Sequence, residues 1–365
     1  MHFETYILIL LTGIQVLMWL TLFSGLSFHK NKNRRTTSEQ IHFPVSIIIC
    51  VHNQKEQIVK VINRLMTQKY IEYEIIISDD GSTDGLLDWY YNILKSNSKI
   101  RYLYQTKGES GKKSALTSAI KLTKYDYILL TDADCTPATD FWIAEMINVL
   151  RNGNQMVLAY SPYLKRNGIL NYLIRFENTL NGIQYLSAAL RGLPYMGVGR
   201  NLLYHKSLFN KDLLKPNISF GDDDLFVNQV ASQISCAICI HPSSFVWSEP
   251  EKSWLSYFHQ RRRHFAASKH YKWFDKFLLG IYHFSLLGFY LFLMIGLCIN
   301  PEIYLLWLYS LRMLIVWPIF AASAKKLNAK DLILYFPFLE ILYILFLCTQ
   351  IPFLIQSPKK WSYKS

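Results

Sequence analysis

The sequence predicts an α/β fold, a mostly parallel sheet flanked by helices, with apolar segments of membrane length towards both ends. Three observations lead there. Short β-branched runs alternate with helical patterns from about residue 44 onwards. Paired carboxylates fall where two of those runs stop. Long apolar blocks lie before residue 27 and after residue 276. The organising stretch is Tyr127-Ile-Leu-Leu-Thr-Asp-Ala-Asp-Cys135, an apolar run that ends in Asp132 and Asp134. A buried parallel strand reads this way, and its carboxyl end is where open α/β sheets bind ligands.

Composition narrows the classes. A hydrophobic content of 51% with 15% aromatics points towards a membrane. The formal net charge is +13, yet Lys and Arg cluster where apolar segments meet polar ones, so anionic lipid is the expected partner. No zinc-finger or RNA-recognition motif is present, and no nucleic-acid partner is expected. Cys236 and Cys239 form a lone C-x-x-C inside an apolar run, the signature of buried strand cysteines rather than a zinc or redox site. Scattered unpaired cysteines fit a reducing compartment.

Taken in order, residues 1–28 hold the apolar run Tyr6 to Leu26, which is long enough to cross a bilayer. Basic residues stand after it at 29–35 and none before it, so the expected topology places the N-terminus outside and the chain beyond Lys30 in the cytoplasm. A basic linker, 29–43, leads to a domain expected over 44–265. Its first strand is Pro44 to Val51, followed by His52-Asn53-Gln54 and a helix from Glu56 to Gln68. The second strand, Tyr73 to Ile77, ends in Ser78-Asp-Asp-Gly-Ser-Thr-Asp84. A helical segment near Leu86 to Lys95 precedes a strand at Ile100 to Tyr104. A helix opened by Gly108-Glu-Ser-Gly-Lys-Lys113 leads to the Asp132 strand. Beyond residue 150, Met156–Tyr160 and Cys236–Ile240 read as strands and Leu170–Leu190 as a long helix.

Residues Ser253 to Trp273 mix aromatics with Arg261, Arg262, Arg263, Lys269 and Lys272, which suits a helix in the headgroup layer, with 266–276 as an interfacial segment. Membrane helices are expected over 277–356, in three blocks, and a basic tail over 357–365. Four spans in all would put Lys359, Lys360 and Lys364 outside, against the positive-inside bias. Arg312 would cost about 3 kcal/mol or more facing lipid. One of the three blocks is therefore expected to be re-entrant or interfacial.

The chemistry gathers at the strand ends. Asp132 and Asp134 offer hard oxygen ligands suited to Mg²⁺ or Mn²⁺. Asp79 and Asp80 end the neighbouring strand, and two acid turns on one rim point to a nucleotide-type site. Gly108 to Ser114 lacks P-loop spacing, but Lys112 at a helix start is a candidate diphosphate contact. Asp222, Asp223 and Asp224 are adjacent; such crowding raises at least one pKa and makes a general base of the cluster.

These residues resemble a membrane-anchored family 2 glycosyltransferase over about residues 44 to 265. Val45 to Asn53 is similar to the family's first strand and Tyr-Asn-Glu turn, with His52 and Gln54 in place of Tyr and Glu. Asp79 to Asp84 resembles its nucleotide-binding turn, Lys112 with Ala115-Leu116 its G-K-x-x-A-L segment, and Asp132-Ala-Asp134 its D-x-D. Gly221-Asp-Asp223 resembles its Thr-Glu-Asp, and Gln260-Arg-Arg-Arg-His264 its Q-x-x-R-W, with His264 at the Trp position.

The resemblance implies the GT-A fold, which binds nucleotide-diphospho-sugars, and inverting transfer from a UDP- or GDP-sugar to a lipid, lipid-linked or growing-glycan hydroxyl. It implies Asp134 on the metal, Asp132 on metal or ribose, and His52, Asn53, Gln54, Asp79 and Asp80 at the nucleotide. Asp223 would be the base with Asp222 beside it, and Gln260, Arg263 and His264 would lie at the diphosphate and donor sugar. The expected location is a bacterial inner membrane with the catalytic domain cytoplasmic. A membrane nucleotidyltransferase would explain the acids but leave Asp223, Gln260 and Arg263 without a task. An inactive nucleotide-binding receptor has no need of Asp132, Asp134 and Asp223 together.

Overall fold

The computed structural model describes residues 3–30, 42–105, 111–150, 153–210 and 222–351. Its strands are β1 (Val45–Val51), β2 (Tyr73–Asp79), β3 (Ile100–Tyr104), β4 (Tyr127–Asp132), β5 (Cys135–Pro137), β6 (Met156–Ala159), β7 (Leu202–His205), β8 (Cys236–Cys239) and β9 (Val246–Ser248). Seven of them form one sheet in the order β3-β2-β1-β4-β7-β6-β8, and β5 pairs with β9 beside it. The half that carries the acids, β3-β2-β1-β4, is parallel throughout. β7 runs antiparallel to both β4 and β6, a reversal that no sequence signal announces.

The helices are α1 (Phe3–Met18), α2 (Gly25–Phe28), α3 (Lys55–Met66), α4 (Leu86–Trp89), α5 (Lys112–Leu122), α6 (Trp142–Asn148), α7 (Ile169–Leu190), α8 (Asp222–Val230), α9 (Trp254–Ser268), α10 (Trp273–Ile299), α11 (Ile303–Lys326) and α12 (Phe336–Gln350). The expected helix near Leu86 to Lys95 is a single α-turn that widens into a π-turn at Tyr90–Leu94.

The sheet is covered on both faces, so its strands are apolar at nearly every position rather than alternating. Ile47, Ile49, Ile75, Ile77 and Leu129 are buried on one face together with Ile58 and Ile62 of α3 and Ile143 of α6. Ile48, Ile76, Ile128 and Leu130 are buried on the other, with Leu116 and Ala119 of α5 and Ile174 of α7. Burying each such side chain contributes about 1.5–3 kcal/mol, which fixes the register of every strand. That register pairs Val51 with Asp79 and Cys50 with Asp132, so both acid-bearing strands stop at the same rim.

Among the described residues, three helices are long and apolar enough to cross a membrane: Glu4–Phe23, Trp273–Ile299 and Ile303–Lys326. α12 has 15 residues and spans only about 22 Å, short of the ~30 Å hydrocarbon core. Arg312 does not face outward. It is fully buried, and its guanidinium donates to both Glu340 oxygens of α12 at 2.7 and 2.8 Å and to Gln15 Oε1 of α1 at 3.2 Å. Tyr290 of α10 donates to the same carboxylate at 2.6 Å. One ion pair thus ties four helices together.

Candidate active site

The turns after β1 and β2 are laced to each other. Asp79 is completely buried; one carboxylate oxygen accepts the Ser82 N–H at 2.8 Å and the other accepts the Tyr102 hydroxyl. Asp79, expected at the nucleotide, braces this turn with both oxygens, and the turn passes through Gly81 at φ 71°. Asp80 accepts the Gly111 N–H at 2.9 and 3.0 Å, so it tethers the start of α5. His52 Nδ1 lies 2.6 Å from the Asp80 carbonyl. Asn53 stands at φ 51°, and its Oδ1 accepts the Thr83 N–H at 2.8 Å. The exposed Asn53 amide reaches His52 Nε2 at 3.1 Å, and Gln54 begins α3 half-buried.

Lys112 stands between acids from two elements. Its ammonium lies 2.8 Å from Asp132 Oδ1 and 3.9 Å from Asp223 Oδ2. Burial works against that charge, but Asp132 and Asp223 outweigh it and hold the lysine well above its ordinary pKa. Burial would raise Asp132; Lys112 outweighs it and keeps Asp132 below the usual carboxylate range. The lysine expected on a diphosphate is thus, in this structure, the cation that joins the D-x-D acid to the α8 acid.

Asp134 meets a different field at the same rim. Desolvation there, then repulsion from Asp132, push its pKa up. Cys135 Sγ sits 3.3 Å from Asp134 Oδ1 and 3.0 Å from Ser248 Oγ. Ligand atoms of Asp132, Asp134 and Cys135 all lie within 4.8 Å of one another. Two hard oxygens in a site that destabilises its own negative charge fit a divalent cation.

α8 supplies the third acid. Asp223 keeps a side-chain exposure of 18%. The side chain of Asp222 lies outside the described residues. Asp224 is buried, and burial with the neighbouring Asp223 pushes its carboxyl up to about 7. Of the two described acids, the perturbed one faces inward and the accessible one faces Lys112.

From α9 come Gln260, Arg263 and His264, on a helix started by a Ser253–Ser256 capping box. His264 Nδ1 is 4.0 Å from Asp224 Oδ2. Desolvation, then the charges of Arg261, Arg263, Arg200 and Lys112, hold this imidazole well below its ordinary pKa, so it is neutral at pH 7. Burial lowers Arg263 as well. Gln260 is half-buried, one turn before His264.

Residues 46–213 match the family described as Glycosyl transferase family 2. The chain carries a family 2 glycosyltransferase domain. It is 32% identical over 188 residues to a poly-beta-1,6-N-acetyl-D-glucosamine synthase of Staphylococcus aureus (strain COL), covering 51% of this chain and 44% of that one. It is 23% identical over 188 residues to the synthase of the same name from Staphylococcus epidermidis, with the same coverage. The match thus spans less than half the length of these relatives. The fold is similar to that of the mannosyltransferase PcManGT from Pyrobaculum calidifontis, solved in complex with GDP-Man and Mn²⁺. The TM-score is 0.58 at 16% identity, covering 89% of this chain and 99% of that one. The sheet and its flanking helices are therefore of the GT-A type.

Three residues packed around these acids carry no motif that sequence reasoning could single out: Cys135, Gly199 and Arg200. Arg200 stacks on Tyr163 at 4.7 Å and donates to the Tyr163 hydroxyl, the Ser161 carbonyl and Asn178 Oδ1 at 3.1–3.2 Å. Its charge acts on Asp132 and Asp134. Gly199 sits where Asp223 packs, and a Cβ there would fall 1.6 Å from Asp223 Oδ2. Gly199→Ala is expected to lower turnover about tenfold to a hundredfold by displacing that carboxylate, with the fold retained. Steady-state rates and thermal unfolding check this; an unchanged rate removes the packing argument.

Proposed function

We propose that the protein is an inverting glycosyltransferase that moves a sugar from a UDP- or GDP-linked donor to a hydroxyl of a lipid, lipid-linked or growing-glycan acceptor at a membrane surface. The observation that carries this reading is that Lys112 joins Asp132 to Asp223 while Asp134 lies beside Asp132 at the same rim. Asp134, with Asp132, would hold Mg²⁺ or Mn²⁺. When bound, that cation neutralises charge on the departing diphosphate. Asp80, His52, Asn53 and Gln54 line the nucleotide end. Asp223 takes the proton of the acceptor hydroxyl, with the Lys112 ammonium 3.9 Å from its carboxylate. Gln260 and Arg263 bind diphosphate oxygens, Arg263 through its planar fork, with neutral His264 beside them.

The similarity to polysaccharide synthases supports a glycan product, and the apolar helices support a site close above a bilayer. The basic residues after Leu26 support a cytoplasmic catalytic domain. Purified protein in detergent, offered a panel of nucleotide-sugars, should release nucleoside diphosphate only with a divalent cation. Release of pyrophosphate would point to nucleotidyl transfer, and no release from any donor would sink the reading.

A further inference from the structure

Glu177 lies inside the protein on α7, 1% exposed. Its carboxylate accepts the Tyr257 hydroxyl, and Arg261 Nη2 lies 2.8 Å from its other oxygen. Tyr257 and Arg261 are one helical turn apart on α9, so a single buried carboxylate grips that helix at two successive levels. Gln260 and His264 come three positions after Tyr257 and Arg261 respectively and occupy the adjoining sector of the same helix.

α7 is a firm reference for such a grip. Arg175 of α7 holds Asp331 with two bonds of 2.7 and 2.8 Å, and Tyr185 donates to the Ala159 carbonyl of β6 at 2.8 Å. α9 is lightly anchored by comparison. Of its 15 residues only Tyr257, Ala266 and Ala267 are buried, and two of those are alanines. The Tyr257 ring stacks on Phe346 of α12 with centroids 5.0 Å apart, and Phe258 and Phe265 pack half-buried against the core. Rotation of α9 by a few tens of degrees would carry Gln260 and His264 off the site.

We propose that Glu177 is a positioning residue that sets the rotation of α9 and thereby the diphosphate contact of Gln260 and the place of His264 beside it. This rests on the glycosyltransferase reading for the identity of the ligand. Glu177 touches no substrate; it acts through Tyr257 and Arg261.

The test compares wild type, Glu177→Gln and Tyr257→Phe as full-length proteins in detergent. Glu177→Gln keeps the size and an acceptor for Tyr257 but loses the charge that holds Arg261. Tyr257→Phe keeps the ring on Phe346 and loses only the hydroxyl, so it serves where the first variant fails to fold. Calorimetry with Mn²⁺ measures UDP and GDP against UMP and GMP. Both variants are expected to bind the diphosphate that wild type binds about tenfold or more weakly, with the monophosphate changed by less than about threefold. Equal diphosphate affinity in a folded variant overturns the proposal. So does a parallel loss of both nucleotides, which would make Glu177 merely structural. Hydrogen exchange of the α9 amides without ligand should also be faster in both variants, and unchanged exchange counts against the proposal. If wild type binds no nucleoside diphosphate, the glycosyltransferase reading fails, while the exchange measurement still decides the role of Glu177.

Discussion

Asp134→Ala should abolish metal-dependent turnover and leave the fold standing. Desolvation and then Asp132 both raise the pKa of Asp134, so a divalent cation there would relieve that cost. Asp132 has an internal counter-ion in Lys112 at 2.8 Å; Asp134 has the Cys135 thiol, a weak donor, at its Oδ1. Stabilising the departing diphosphate through a metal is worth several kcal/mol, so at least about a thousandfold in rate should vanish. The fold should survive because Asp134 lies exposed on a loop and its loss removes repulsion from Asp132. Wild type in excess chelator should fall to the same residual rate. Turnover of the folded variant within tenfold of wild type, or chelator-resistant wild type, would remove the metal from the site.

Asp223→Asn should lower transfer by about 10² to 10⁴, with donor affinity changed by less than about tenfold, or 1.4 kcal/mol. The amide keeps the contact with Gly199 and the shape of the carboxylate but cannot take a proton. Asp224→Asn is the matched control. Its carboxyl is pushed up to about 7 by burial and by Asp223, so the amide resembles a form already populated near neutral pH. Its effect should stay within about tenfold, as expected of a group that only serves the buried helix start. Transfer rates and donor calorimetry on both variants decide it. If Asp224→Asn is dead and Asp223→Asn is normal, the base is the next residue along; if both are active, the acceptor proton goes elsewhere.

Much of the parallel half of the sheet is legible in the sequence because its signal is local. A run such as Val45 to Val51 is largely apolar and stops at a polar turn, and the acids at the ends of β2 and β4 mark the rim directly. β7 is not legible: four residues after a Gly-rich stretch are too short to show a period, and its direction depends on where β4 already lies. Asp79 carries two signals at once. Besides the expected nucleotide contact, an Asp three residues before a Ser is a turn-former whose carboxylate takes a backbone N–H, and Asp79 accepts the Ser82 N–H. Gly199 carries no signal of its own, because its missing Cβ matters only once Asp223, remote in sequence, packs against it. Glu177 likewise looks like an ordinary polar position until α9 lies on α7.

The Arg312–Glu340 pair bears on how such a chain is built as well as how it stands. Leaving a ribosome, α11 emerges before α12, so its guanidinium would enter the insertion machinery with Gln15 and Tyr290 already made but its carboxylate still unsynthesised. A lone arginine at mid-helix resists release into lipid by about 2.5–3.5 kcal/mol. If the chain is inserted into a bilayer, as the length and composition of α11 allow, α11 is expected to linger in the protein-lined channel until Glu340 follows. The short α12 is then a delayed key, and its arrival would release the bundle as a unit.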